Sequence, residues 1–134
     1  MLFVHTITIF NLISEDDEPV YQKSTVSKVL WVKDENTARN KLGVVDADAI
    51  TVYIPKSATE EHGRLLVSGA EFERALDKSN LYAYRKGDFV CFGDVSLDGL
   101  SINELKNLTD NVFEITGLSD FSFGGLPNFV LSAK

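Results

Sequence analysis

The run Lys86-Gly87-Asp88-Phe89-Val90-Cys91-Phe92-Gly93-Asp94-Val95 constrains this chain more than any other. Two Gly-Asp pairs bracket four consecutive apolar residues of strand-forming type. Glycine reaches positive φ at little steric cost and aspartate hydrogen-bonds its own turn, so each pair reads as a turn. Successive side chains of a strand point to opposite faces, so Phe89, Val90, Cys91 and Phe92 cannot share one side. A short strand covered on both faces fits a closed barrel or a sandwich wall.

The rest of the chain supplies partners for such a strand. Residues 4–11 alternate Val4, Thr6 and Thr8 with His5, Ile7 and Ile9 before Phe10 interrupts the pattern, a first strand by its Thr and Ile content. β-type residues resume over 21–33 and predict a hairpin with it. The contiguous Val29, Leu30, Trp31 and Val32 predict a bend at its far end. The clearest alternation is at 48–55, where Ile50, Val52 and Ile54 share one face and Pro55, lacking a ladder donor, ends the strand. Residues 81–84 lead into the central strand, and residues 126–133 close the chain as another. The reading gives a mainly β chain, a small β-barrel of about six strands with one or two short helices, in a single domain over 1–134.

The helices are brief. Ser68 caps a segment over 69–76 in which Phe72, Ala75 and Leu76 fall at i, i+3 and i+4. Ser101-Ile102-Asn103-Glu104 is a capping box ahead of Leu105 and Leu108, predicting a second helix that ends at Asp110-Asn111. Residues 34–46 read as a loop with one helical turn, and the Gly-, Ser- and Phe-rich stretch 118–125 reads as a loop. Two longer connections remain, at 13–19 and 56–68.

Those connections hold the candidate contact residues. Glu15, Asp16, Asp17 and Glu18 precede Pro19 and exclude regular structure, an exposed hairpin tip. They lack the alternate ligand spacing and turn glycine of a calcium loop, so no metal site is assigned. Glu60, Glu61 and His62 sit in the polar excursion at 56–68. These seven residues are the expected partner contacts. Deleting 58–63 is expected to leave the fold intact and to impair assembly.

Chemistry is sparse elsewhere. His5 and His62 have no paired-ligand spacing, which argues against zinc. Cys91 lies inside an apolar run and reads as an inert core thiol. Asp88 and Asp94 flank one strand and read as turn residues rather than an acid–base pair. Gly124-Gly125 precedes no helix and is not a phosphate loop. No catalytic, cofactor-binding or metal residue is expected, and no enzyme activity. A formal charge of −7 opposes direct grip on nucleic acid, which relies on Lys and Arg. Hydrophobic residues at 44% suit a packed globule, and no apolar run is long enough to cross a bilayer as a helix. The start, Met1-Leu2-Phe3-Val4-His5, lacks the basic stretch of a secretory signal, so the chain is expected to stay in the cytosol that makes it.

Taken in order, the strand His5-Thr6-Ile7-Thr8-Ile9-Phe10-Asn11, a second strand leading to Trp31, the Asp48-Ala49-Ile50-Thr51-Val52-Tyr53-Ile54-Pro55 strand, a variable insert, and the Lys86-Gly87-Asp88-Phe89-Val90 strand with Gly93 form a pattern. A short helix and a C-terminal strand complete it. The pattern resembles small bacteriophage and prophage proteins of the head–tail connection, over nearly the whole chain. Some relatives carry a His-Trp pair in the last strand, where this chain has Asn128-Phe129. The resemblance implies a head-completion, stopper or minor capsid β-barrel without catalytic residues or cofactor. It would act as a homo-oligomeric ring subunit that helps retain packaged DNA and docks the tail. Its implied partners are connector proteins on the portal or adaptor side and the tail side. Its implied place is the virion, and the host cytoplasm during assembly. A tail terminator or adaptor is the nearest alternative, and a non-viral barrel binding a ligand or peptide is the alternative of another class.

Overall fold

The computed structural model describes residues 3–14, 20–34, 49–95, 104, 112–123 and 126–134. Its elements are β1 (His5–Ser14), β2 (Val20–Asp34), β3 (Ala49–Pro55), β4 (Leu65–Leu66), α1 (Gly69–Arg74), β5 (Leu81–Tyr82), β6 (Phe89–Phe92), β7 (Val112–Phe123) and β8 (Leu126–Ala133). The protein is a closed six-stranded antiparallel barrel in the order β1-β2-β3-β8-β7-β6, with β6 pairing back onto β1. β4 and β5 form a separate two-stranded parallel pair. Closure through β6 removes most of the edge that an open sheet of this size would leave, although β6 pairs β7 only over Val112 to Glu114.

The central run behaves as its pattern requires. Val90 enters the main core with Ile7, Ile9, Val26, Val52 and Leu131, whereas Phe89 and Cys91 pack on the other side against Phe10. The exception is Phe92, 38% exposed at a rim where its ring meets Trp31 at 5.2 Å and His5 at 5.4 Å. Phe10 therefore does not interrupt β1; it belongs to the outer cluster while Ile7 and Ile9 fill the barrel. Gly87 and Gly93 hold φ of 91° and 85°, the left-handed turns expected at the two ends of β6.

Register follows from burial. Ile50, Val52 and Ile54 of β3 are buried and alternate with half-buried neighbours. A one-residue slip would turn all three outward, at about 2 kcal/mol each, a large share of a small domain's stability. The bend predicted in β2 is a change of partner. β2 pairs β1 as far as Val29 opposite His5, then pairs β3 from Leu30 opposite Tyr53. Lys28 stands at the corner with φ of 61° beside the register shift in the β1 pairing. A bulge of this kind sharpens the twist and lets one long strand serve two sheets.

Several expectations give way. Residues 118–123 are strand, not loop, because pairing with β8 from Leu118 opposite Leu131 to Phe123 opposite Leu126 holds extended a stretch whose Ser119, Asp120 and Ser122 are turn-type residues. α1 stops at Arg74, with Ala75 extended at φ −67° and ψ 133°, so only Phe72 is buried and Leu76 is wholly exposed. The excursion at 56–68 is not merely loop, since it contains β4 and a bridge between Glu60 and Val26. The acidic tip at Glu15, Asp16, Asp17 and Glu18, the loop with a helical turn, and most of the helix expected from Ser101 lie outside the described residues; Glu104 is helical.

Candidate partner-contact loop

The loop after β3 is built around one carboxylate. Pro55 ends β3 and its carbonyl accepts from the Ala58 amide at 2.9 Å, turning the chain back toward β2. Glu60 then meets Val26 in an isolated bridge, and the Glu61 amide donates to the Thr25 carbonyl at 2.9 Å. The Glu60 side chain is fully buried. Its Oε2 accepts from the Thr25 amide at 2.8 Å and its Oε1 from the His62 amide at 2.7 Å and the Arg64 amide at 3.2 Å. The His62 ring Nδ1 lies 2.5 Å from Oε2. Burial pushes this carboxyl up, but the His62 ring and the Thr25, Arg64 and His62 amides together outweigh it and hold it below its ordinary 4.5.

Arg64 completes the brace. Its Nη1 donates to the Lys23 carbonyl at 2.5 Å and its Nε to the Ser79 carbonyl at 3.0 Å, tying the loop to β2 and to the turn before β5. Gly63 closes the loop with φ of 78°, where an L side chain would be strained. A long surface connection is thereby held in one shape.

Of the three candidate residues described, Glu60 faces inward and Glu61 and His62 face solvent. Sequence alone ranked them together because three adjacent polar residues in a loop give no phase. The exposed face comprises Thr59, Glu61 and His62, with Glu61 accepting from the Ser27 hydroxyl at 2.9 Å. Beside it opens a hollow of about 680 Å³ lined by Phe3, Ser27, Lys28, Ser57 and Thr59. Deleting 58–63 would remove the acceptor of the buried Thr25 amide, so substitutions of the exposed side chains are the better test of contact.

Asp94 and Asp88 part company in the structure. Asp94 is an exposed turn residue; the Lys23 ammonium 2.6 Å away holds its carboxyl below the usual carboxylate range. Asp88 is buried in a node that sequence reading missed. Its carboxylate accepts from Arg85 Nε at 2.8 Å and from the Asn11 side-chain amide at 2.8 Å, while Arg85 Nη2 reaches the Leu12 carbonyl at 2.8 Å. Asn11 also donates to the Ala83 carbonyl at 2.7 Å and accepts from the Ala83 amide at 3.2 Å. The node docks residues 83–88 onto β1. The available signal was a polar Asn11 directly after the apolar alternation of β1. Cys91 is wholly buried, and burial pushes its thiol up to about 12, as suits a core residue. Among the described residues no group of three or more His, Cys, Asp or Glu side chains is arranged to hold a metal.

Fold and site together define a small closed antiparallel barrel whose interior is packed with apolar side chains and whose surface carries a braced loop. The chain belongs to a family of unknown function, DUF6751, whose model matches residues 2–134. Comparison with curated proteins and with solved structures gives no match.

Proposed function

We propose that this chain is a structural virion protein at a bacteriophage head–tail junction, a head-completion or stopper-type ring subunit. The observation that supports the reading best is the braced loop: a buried carboxylate fixes a surface connection on a filled barrel, so Thr59, Glu61 and His62 are offered in one rigid arrangement. Rigid presentation lowers the ordering cost of docking, as a ring subunit requires. A barrel interior occupied by Ile7, Ile9, Val26, Val52 and Leu131 suits scaffold use better than ligand capture. The net charge of −7 agrees with standing beside DNA without gripping it. The partners are connector proteins on the portal or adaptor side and on the tail side, with further copies of the chain closing the ring; the site needs no cofactor.

The test is disruption of the gene in a phage that encodes it, followed by mass spectrometry of purified particles and electron microscopy of the lysate. A stopper predicts its presence in wild-type virions, and heads that leak DNA beside free tails in the mutant. Tails of irregular length would indicate a terminator instead. Intact infectious particles without the protein would overturn the virion reading. Glu61→Lys and Thr59→Lys, which leave the Glu60 brace intact, should reproduce the assembly defect while the purified variants keep the parent's circular dichroism.

A further inference from the structure

The barrel closes through β6 and β7, yet β7 is much longer than its partner. β6 pairs β7 only at Val112, Phe113 and Glu114. Ile115 is the last residue to bond the neighbouring turn, its amide reaching Asp88 at 2.8 Å and its carbonyl accepting from Gly87 at 2.9 Å. Beyond it, among the described residues, β7 has β8 on one side and no strand on the other.

Antiparallel strands exchange hydrogen bonds at every second pair. Glu114 and Lys134 exchange both bonds, at 3.2 and 2.9 Å. Past the bulge the register continues as Gly117 opposite Ser132, Leu118 opposite Leu131, Ser119 opposite Val130 and Asp120 opposite Phe129. The alternation turns the main-chain N–H and C=O of Leu118, Asp120 and Ser122 away from β8. Among the described residues these groups meet no partner and form an open hydrogen-bonding ladder, whose complement is another extended backbone.

Side chains set which backbone fits. Cross-strand partners share a face, so Leu118 and Asp120 lie on the face of Leu131 and Phe129. On that side a groove of about 340 Å³ opens, lined by Leu66, Tyr84, Leu118 and Phe129. Leu118 is 42% exposed and Leu66 36%. Asp120 is paired with Lys56 at 2.5 Å but keeps 63% of its side chain exposed, room for a second cation. Two copies of the chain joined antiparallel about Asp120 would bring like charges together, on chains that each carry −7. A basic residue has no such penalty.

We propose that the outer edge of β7 from Leu118 to Ser122 is a strand-addition site for an extended segment of a different polypeptide, one that sets an apolar side chain in the groove beside Leu118 and a basic side chain against Asp120. The site stands independently of the virion reading. The test uses the isotope-labelled full chain and blocked hexapeptides in which threonine alternates with lysine, isoleucine and valine in that order. Amide resonances of Leu118 and Asp120 should shift on titration and their exchange should slow. Replacing the peptide lysine by glutamate should weaken binding about fivefold. Methylating the main-chain amides of the peptide's lysine and isoleucine, which face Asp120 and Leu118, should abolish it, and Asp120→Lys should reverse the charge preference. No response at these amides, equal binding of the methylated peptide, a charge preference unchanged by Asp120→Lys, or dimerisation of the free chain through this edge in sedimentation would each overturn the proposal.

Discussion

Replacing Glu60 by Ala removes the acceptor of three main-chain amides at one stroke, those of Thr25, His62 and Arg64. The Thr25 amide is the costly one, because Thr25 is buried and has no water to turn to. An orphaned buried donor costs about 1 to 3 kcal/mol, and each amide nearer solvent loses about 0.5 to 1 kcal/mol. The expected loss is therefore about 2 to 5 kcal/mol, or a fall in Tm on the order of 10 °C for a domain of this size. Glu60→Gln keeps one acceptor oxygen and should lose roughly half as much. The carboxyl lies below its ordinary 4.5 in the folded chain, so its contribution is complete above that value and fades as pH falls through the folded value. Urea unfolding near pH 7 and near pH 3 should show Glu60→Gln with a smaller acid loss than the parent. Hydrogen exchange should speed first at Thr25 and Glu61. Stability of Glu60→Ala within about 0.5 kcal/mol of the parent, with Thr25 still protected, would refute the brace.

Asp88→Ala should destabilise by about 3 kcal/mol, because it leaves Arg85 and Asn11 with a buried vacancy where a charge partner stood; denaturant unfolding measures this, and Asp88→Asn should retain part of the loss. Lys28→Gly should stabilise by about 0.5 to 1 kcal/mol, since φ of 61° strains a lysine but not a glycine. Cys91 should resist iodoacetamide in the native chain and react once guanidinium exposes it, followed by mass spectrometry; rapid native labelling would contradict its burial. In the strand-addition site, Leu118→Asp should leave unfolding within about 0.5 kcal/mol of the parent while abolishing the peptide response.

What the sequence determined by itself is the β architecture and the inside of its strands. Period-two alternation at Ile50, Val52 and Ile54, the Gly-Asp turns around Phe89 to Phe92, and the cap at Ser68 are local signals. Local sterics and burial are enough to enforce them. The bend of β2 was also legible, because four contiguous apolar residues cannot continue a one-sided strand. What only the tertiary structure decided are features whose cause lies far along the chain. Residues 118–123 are extended because β8 pairs with them, not because Ser119, Asp120 and Ser122 favour it. Leu76 is exposed because its helix ends before the apolar face is complete. Asp88 is a buried node because Asn11 and Arg85 converge on it. Glu60 is buried and Glu61 is not because β2 presents the Thr25 amide to one and solvent to the other. A hydrogen-bond donor tens of residues away leaves no trace in the spacing of its acceptor, so the brace and the open edge of β7 became visible only when the barrel brought those strands together.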